Sequence, residues 1–299
     1  MDGIILIDKP AGPTSAEVVR RVKARLKARL KTAPRVGHLG TLDPFATGLL
    51  PIMVREGTKL APFIQEGDKE YEGIIALGAE TDTLDKTGAV VRTAAVPPLE
   101  AAQVRELAAR FTGIMEQTPP IFSAIKRGGV PLYRLARRGE DVAPPLPRMV
   151  EIRRLELASA DADSIRFLLV CSTGTYVRAL ARDIGVALGS AAHLAALRRL
   201  RSGIFTVAEA RPLDQVLSAL ETGASVTFIG LREAMPDLPE VEIDAEEERR
   251  LRNGDSRALD CMVPPGARRF KVVTRGNLAA VAETTSRVTA AIARIFTPG

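Results

Sequence analysis

The hydrophobic positions along this chain change their period several times, and each change marks an element. Residues 2–8 (DGIILID) carry four apolar residues in a row, as a strand buried inside a protein does. Lys9-Pro10-Ala11-Gly12-Pro13 then stops any regular structure. Thr14 and Glu17 stand at capping-box spacing, and Val18, Val22, Leu26 and Leu30 recur every fourth residue. The spacing predicts a helix from Thr14 to about Lys31. Residues 70–78 alternate and then turn fully apolar, which predicts a strand entering a core. A helix is expected over 99–111, and two strands joined by a polar turn over 150–158 and 164–172. Residues 175–188 read as a helix with Val177, Leu180, Ala181, Ile184 and Leu188 inward and Gly189 ending it. Strands mixed irregularly with helices point to an α+β fold rather than a repeating βαβ pattern.

Pro236-Asp237-Leu238-Pro239 reads as a linker, and the pattern changes beyond it. Residues 241–243, 257–260, 270–274, 278–283 and 293–296 are short apolar runs separated by Gly, Pro or Asn, with one or two helical turns expected over 246–253. Such spacing predicts a small β-barrel or sandwich. The expected domains are therefore 1–236 and 237–299.

Composition adds limits. The chain has 299 residues, 46% hydrophobic and 26% charged, which is ordinary for a globular protein. No window reaches membrane-spanning length, and the opening apolar run is too short and too soon charged for a signal peptide. The expected compartment is the cytoplasm. Cys171 and Cys261 stand far apart, His38 and His193 are the two histidines, and CxxC, HExxH, GxGxxG and Walker patterns are absent. No metal, nucleotide or redox cofactor is expected.

The net charge is +6, and residues 237–299 hold ten basic against ten acidic residues, so the surplus belongs to the larger part. Such a surplus favours a polyanionic partner, phosphates first. Arg20, Arg21, Lys23, Arg25, Lys27, Arg29 and Lys31 crowd the first helix. They read equally well as a solvated face and as a rail for phosphates.

The run from Val36 to Gly48 (VGHLGTLDPFATG) packs three glycines, His38 and Asp43 between more regular segments. Alone it reads as a tight turn in which Asp43 bonds its own backbone before Pro44. Other segments change that reading. Asp8-Lys9-Pro10 with Thr14-Ser15 is one. GHLGTLDPFATGLLPI at 37–52 is another, as is Lys69-Glu70-Tyr71 followed by Leu77-Gly78 and Thr81-Asp82-Thr83. QTPPIFSAIKRGGVPLYRLARRG at 117–139, CSTGTYVRALARDIG at 171–185 and LRRLRSG at 197–203 complete the set. In this order and spacing they resemble the motifs of the bacterial tRNA pseudouridine synthase family that modifies the T-loop uridine at tRNA position 55, the TruB-type pseudouridine synthases. The tail resembles a PUA domain, a small RNA-binding β-fold. Position 39 is Leu, where bacterial members commonly carry a small polar residue.

The resemblance implies a pseudouridine-synthase-type fold: a mixed, largely antiparallel sheet flanked by helices, with a PUA-like β-barrel at the C-terminus. It implies a catalytic carboxylate at Asp43, paired with Arg178, and Tyr71 stacked on the target base. His38, Gly40, Lys126, Tyr176 and Leu197 fall at substrate-binding positions, with Tyr176 and Leu197 walling the uracil. Lys126, Arg127, Arg134, Arg137 and Arg138 cluster around Gly128-Gly129 and Tyr133, as a segment closing over phosphates would. The implied partner is tRNA, with no obligatory protein partner, no membrane and a monomer as the default state. The alternatives are a guide-RNA-dependent synthase, an RNA chaperone, and a hydrolytic glycosylase that releases uracil.

Overall fold

The computed structural model describes residues 1–64, 67–138, 140 and 142–297. Its centre is a mixed sheet. Eight strands run in the order Arg211–Pro212, Gly3–Lys9, Thr47–Val54, Ala192–Ser202, Lys69–Leu77, Ser164–Cys171, Arg148–Asp161 and Gly113–Gln117. Two short strands, Val36–His38 and Phe205–Thr206, pair off this path. Most neighbours are antiparallel. The junction between Thr47–Val54 and Ala192–Ser202 is parallel and has only two registered pairs, Thr47 with Arg198 and Gly48 with Arg199. The two parts of the sheet thus meet at the strand that leaves the Asp43 loop.

The apolar run at the N-terminus forms its strand because both faces are covered. Ile5 and Ile7 belong to one buried cluster, and Ile4 and Leu6 to another. The strand after the Asp43 loop divides the same way, Leu50, Ile52 and Val54 to one side and Leu49 and Met53 to the other. Successive strand side chains point to opposite faces, so four apolar residues in a row require two covers.

The first cover is helical. The helix Ser15–Leu30 starts at Thr14, whose side chain accepts from the Glu17 amide, and it buries Val18, Val22 and Leu26 as its spacing predicts. The helices Ala101–Arg110, Val177–Ala187 and Leu213–Thr222 bury their apolar stripes in the same cluster. Gly189 ends its helix with a φ of 69°, a conformation that suits glycine.

The second cover includes the tail. Leu278, Val281 and Phe296 share a core with Ile4, Leu49 and Phe205. Three expectations change here. The tail is an open four-stranded sheet, Glu240–Glu242, Arg269–Thr274, Asn277–Thr284 and Ala290–Ile295, rather than a barrel. Its apolar sides are closed by the main sheet's core and by the helix Ala245–Arg252, so closure on itself is not needed. Residues 257–260 are not a strand. Ser256–Leu259 is a 3-10 turn capped by Asp255, whose side chain accepts from the Arg257 amide. The 236–239 stretch is no free linker either. Leu238 packs on the shared core, and Glu240 takes ion pairs from Arg232 and Lys271, which hold its carboxyl down at about 2.

Candidate active site

The Asp43 loop is held from below by the first strand and helix. Lys9 is fully buried, and its ammonium donates to the carbonyls of Pro10 (2.8 Å), Pro13 (2.9 Å) and Pro44 (3.2 Å). The Gly12 amide also donates to Pro44. Ser15 donates to the Leu42 carbonyl and accepts from the Leu42 amide. Asp43 therefore sits between two backbone anchors, Leu42 and Pro44. Burial lowers Lys9 to about 8, with the nearby Asp43 charge opposing and Arg199 adding to the shift.

The carboxylate of Asp43 does not bond its own backbone. Arg178 reaches it with two prongs, Nε to Oδ2 at 2.9 Å and Nη2 to Oδ1 at 3.1 Å. The Arg178 side chain is 7% exposed and that of Asp43 is 30% exposed, so the acid faces solvent from a buried base. Two more guanidinium hydrogens are used as well. Nη1 donates to Thr83 O at 2.8 Å and Nη2 to Phe122 O at 2.9 Å. A second carboxylate, Asp85, lies 3.8 Å from Nε and is itself buried. Thr83 and Thr87 donate to its Oδ1. One arginine thus joins the acid loop, the 81–87 turn and the 117–139 segment. A guanidinium keeps its charge at any working pH and suits this planar, two-pronged task.

Tyr71 and Arg199 are register partners on adjacent strands. Burial raises Tyr71, while the Arg199 charge and hydrogen bond pull it the other way. Arg199 is 1% exposed and donates to both ends of the loop that carries Asp43: Nε to Leu49 O at 2.8 Å, Nη2 to Gly40 O at 3.1 Å. The glycines at those ends follow from it. A Cβ on Gly40 would stand 3.3 Å from Arg199 Nη1, and one on Gly48 would stand 2.3 Å from the Arg199 carbonyl oxygen.

A cleft of about 800 Å³ opens beside the loop, lined by Phe45, Thr47, Gly73, Lys86, Leu197 and Arg198 among others. Leu197 is one of its lining residues. His38 closes the Val36–His38 strand, and burial lowers its pKa. Tyr176 caps the Val177–Ala187 helix, exchanges two hydrogen bonds with Gln117, and carries the Arg148 guanidinium 4.5 Å from its ring centre. Lys126 is exposed, on a hairpin turning through Gly128 and Gly129 at φ 57° and 83°, the two positive values a tight hairpin needs. Gly139 and the Arg137 side chain fall outside the described residues. Among the described residues no cluster of His, Cys, Asp and Glu is set to hold a metal.

Sequence reasoning gave no role to Asp85, Arg199, Lys9 or Ser15. Lys9 and Ser15 stood in a quoted motif, and Arg199 in another. Asp85 had no such signal beyond its closeness to Thr83.

The architecture is that of known proteins. The chain in the "Structure of H/ACA RNP bound to a substrate RNA containing 2'-deoxyuridine" matches with a TM-score of 0.71, covering 99% of this chain and 85% of that one at 22% identity. The "Crystal Structure of a Cbf5-Nop10-Gar1 Complex" matches at 0.70, with 99% and 85% covered at 24% identity. The fold is thus a mixed α+β fold shared with those chains. The family model "TruB family pseudouridylate synthase (N terminal domain)" matches residues 25–177, and "tRNA pseudouridylate synthase B C-terminal domain" matches 178–232. The curated "tRNA pseudouridine synthase B" of Geobacter sulfurreducens is 45% identical over 255 residues, 85% of this chain and 82% of its own length. That of Dechloromonas aromatica is 39% identical over 284 residues, covering 95% and 91%. The chain belongs to the TruB family of pseudouridylate synthases.

Proposed function

We propose that this protein isomerises uridine to pseudouridine in tRNA, at position 55 of the T-loop, without guide RNA or cofactor. One observation carries the reading: the Asp43 carboxylate, held by the buried Arg178, faces solvent beside a cleft with an apolar wall. The membership in the TruB family and the names of the curated relatives support the substrate.

The reaction breaks the C1′–N1 glycosidic bond, turns the uracil and joins C1′ to C5. The C5 proton leaves and N1 gains one, so atoms and electrons balance with no donor or oxidant. Asp43 supplies negative charge to the sugar side as the base departs. The two Arg178 prongs fix the orientation of that carboxylate and set a cation directly behind it. Tyr71 lies against the base. Leu197 and Tyr176 wall it, keeping water from the separated base, and His38 and Gly40 border the everted nucleotide. Eversion costs about a few kcal/mol, which Lys126 and its basic neighbours offset through phosphate contacts.

Residues 237–299 act in this reading as a PUA-like RNA-binding unit on a catalytic part of 1–236. The fold likeness that runs through the tail supports this. The protein works in the cytoplasm as a monomer with no obligatory protein partner; no helix among the described residues is long and apolar enough to cross a membrane. The test is incubation with unmodified tRNA transcript and mapping of the product, with Asp43→Asn alongside. Pseudouridine at position 55 with the native protein and none with the variant is expected. Product elsewhere, free uracil, or RNA binding without product overturns the reading.

A further inference from the structure

The basic residues of the Ser15–Leu30 helix divide into two sets. Two on its flank serve the fold: Arg25 pairs with Glu221, and Arg29 donates to Ala224 O. Arg20 lies near Glu17 at 4.0 Å. Arg21, Lys23, Lys27 and Lys31 do none of this. They are exposed and have no ion pair or hydrogen bond among the described residues. Lys23 and Lys27 stand four apart within the helix, roughly 6 Å from one to the next, and Lys31 follows as its left-handed C-cap. They flank the buried row of Val18, Val22 and Leu26, about 100° round the helix from it.

Like charges four apart repel along a helix. The helix dipole favours cations only in the last turn, which accounts for Lys27 and Lys31 but leaves Lys23 unexplained. These lysines therefore have a cost that packing does not return. They are also tied to the site, because Ser15 at the helix start is bonded to Leu42 beside Asp43. At 1.5 Å per residue the three lie about 12–24 Å along the helix from that anchor.

We propose that Lys23, Lys27 and Lys31 form a second RNA-binding surface, contacting backbone phosphates of the substrate RNA well away from the nucleotide that enters the cleft. Three cations toward one helix end, with no acid between them, match a phosphate backbone in charge, and such contacts position an RNA without reading its sequence. The inference rests on the proposed RNA substrate.

The test is the triple variant Lys23→Gln, Lys27→Gln, Lys31→Gln, measured for tRNA affinity across a salt series and for single-turnover rate at saturating tRNA. Arg105→Gln with Arg110→Gln, on another helix, controls for net charge. The expected result is affinity for full-length tRNA weaker by about tenfold, a log–log salt slope shallower by about 2, and an unchanged saturated rate. Unchanged affinity and slope, or an equal change per charge in the control, overturns the second surface while the proposed activity stands. If the native protein fails to modify tRNA, it is the proposed function that fails, and this surface with it.

Discussion

Asp43 and Arg178 stand 135 positions apart in the chain and meet through two hydrogen bonds at 2.9 and 3.1 Å. The acid comes from a glycine-rich loop and the base from a helix start, and the arginine also ties down Thr83 and Phe122. Pairing of charge and bracing of three segments therefore fall to one side chain.

Arg178→Met separates these tasks from RNA binding. It should lower turnover by about 10²–10³-fold, the scale on which preorganised charge contributes, with RNA affinity changed by less than about threefold. Kinetics and a binding isotherm on the same preparation check it. Equal losses in both would remove Arg178 from the chemistry.

Tyr71 and Arg199 are expected to act as a unit. Tyr71→Phe removes the hydroxyl and keeps the ring, so turnover should fall while RNA affinity holds. Arg199→Lys keeps charge but presents a compact ammonium, which cannot serve Gly40 O and Leu49 O in the same plane. It should also lower turnover, and the double variant should lose less than the product of the two single losses, since residues in contact are not additive. Multiplying losses would show that the two act separately.

Gly48→Ala should destabilise the fold by about 2–4 kcal/mol. Its Cβ would meet the Arg199 carbonyl oxygen at 2.3 Å, and its φ is +97°. Gly113→Ala is the control, with φ +112° and nothing within 4 Å of the added carbon; it should cost only about 1–2 kcal/mol. Chemical denaturation of both variants decides it, and equal losses would discard the close approach as the reason for Gly48.

Turnover and stability should part company above pH 8. Lys9 and Lys69 are both lowered to about 8 by burial. Between that value and the ordinary lysine range the folded chain binds fewer protons than the unfolded one, so these two groups make stability rise with pH. Cys171, pushed up by burial to about 12, acts in the opposite direction above about pH 9. Turnover should instead fall through pH 8, because a neutral Lys9 has two N–H groups for three carbonyls. Denaturation curves and rates at pH 7, 8 and 9 test both signs. A rate that stays level to pH 9 would sever the Lys9 charge from the chemistry.

The sequence by itself determined the elements whose signal is local. The helix after Thr14 appears with its cap and stripe in place, because capping and period act within a few residues. The motif order also made the family legible, and with it the pairing of Asp43 with Arg178. Only tertiary structure decided the rest. The tail reads as a barrel while its strands are counted alone, yet it stays open because the main sheet supplies the missing cover. Asp85 carries no signal in its local sequence, and the fold sets it 3.8 Å from Arg178. Arg199 gained its place from a two-pair parallel junction between strands that no local pattern records. Period and capping are short-range, whereas burial and charge pairing depend on which distant segment arrives beside a residue.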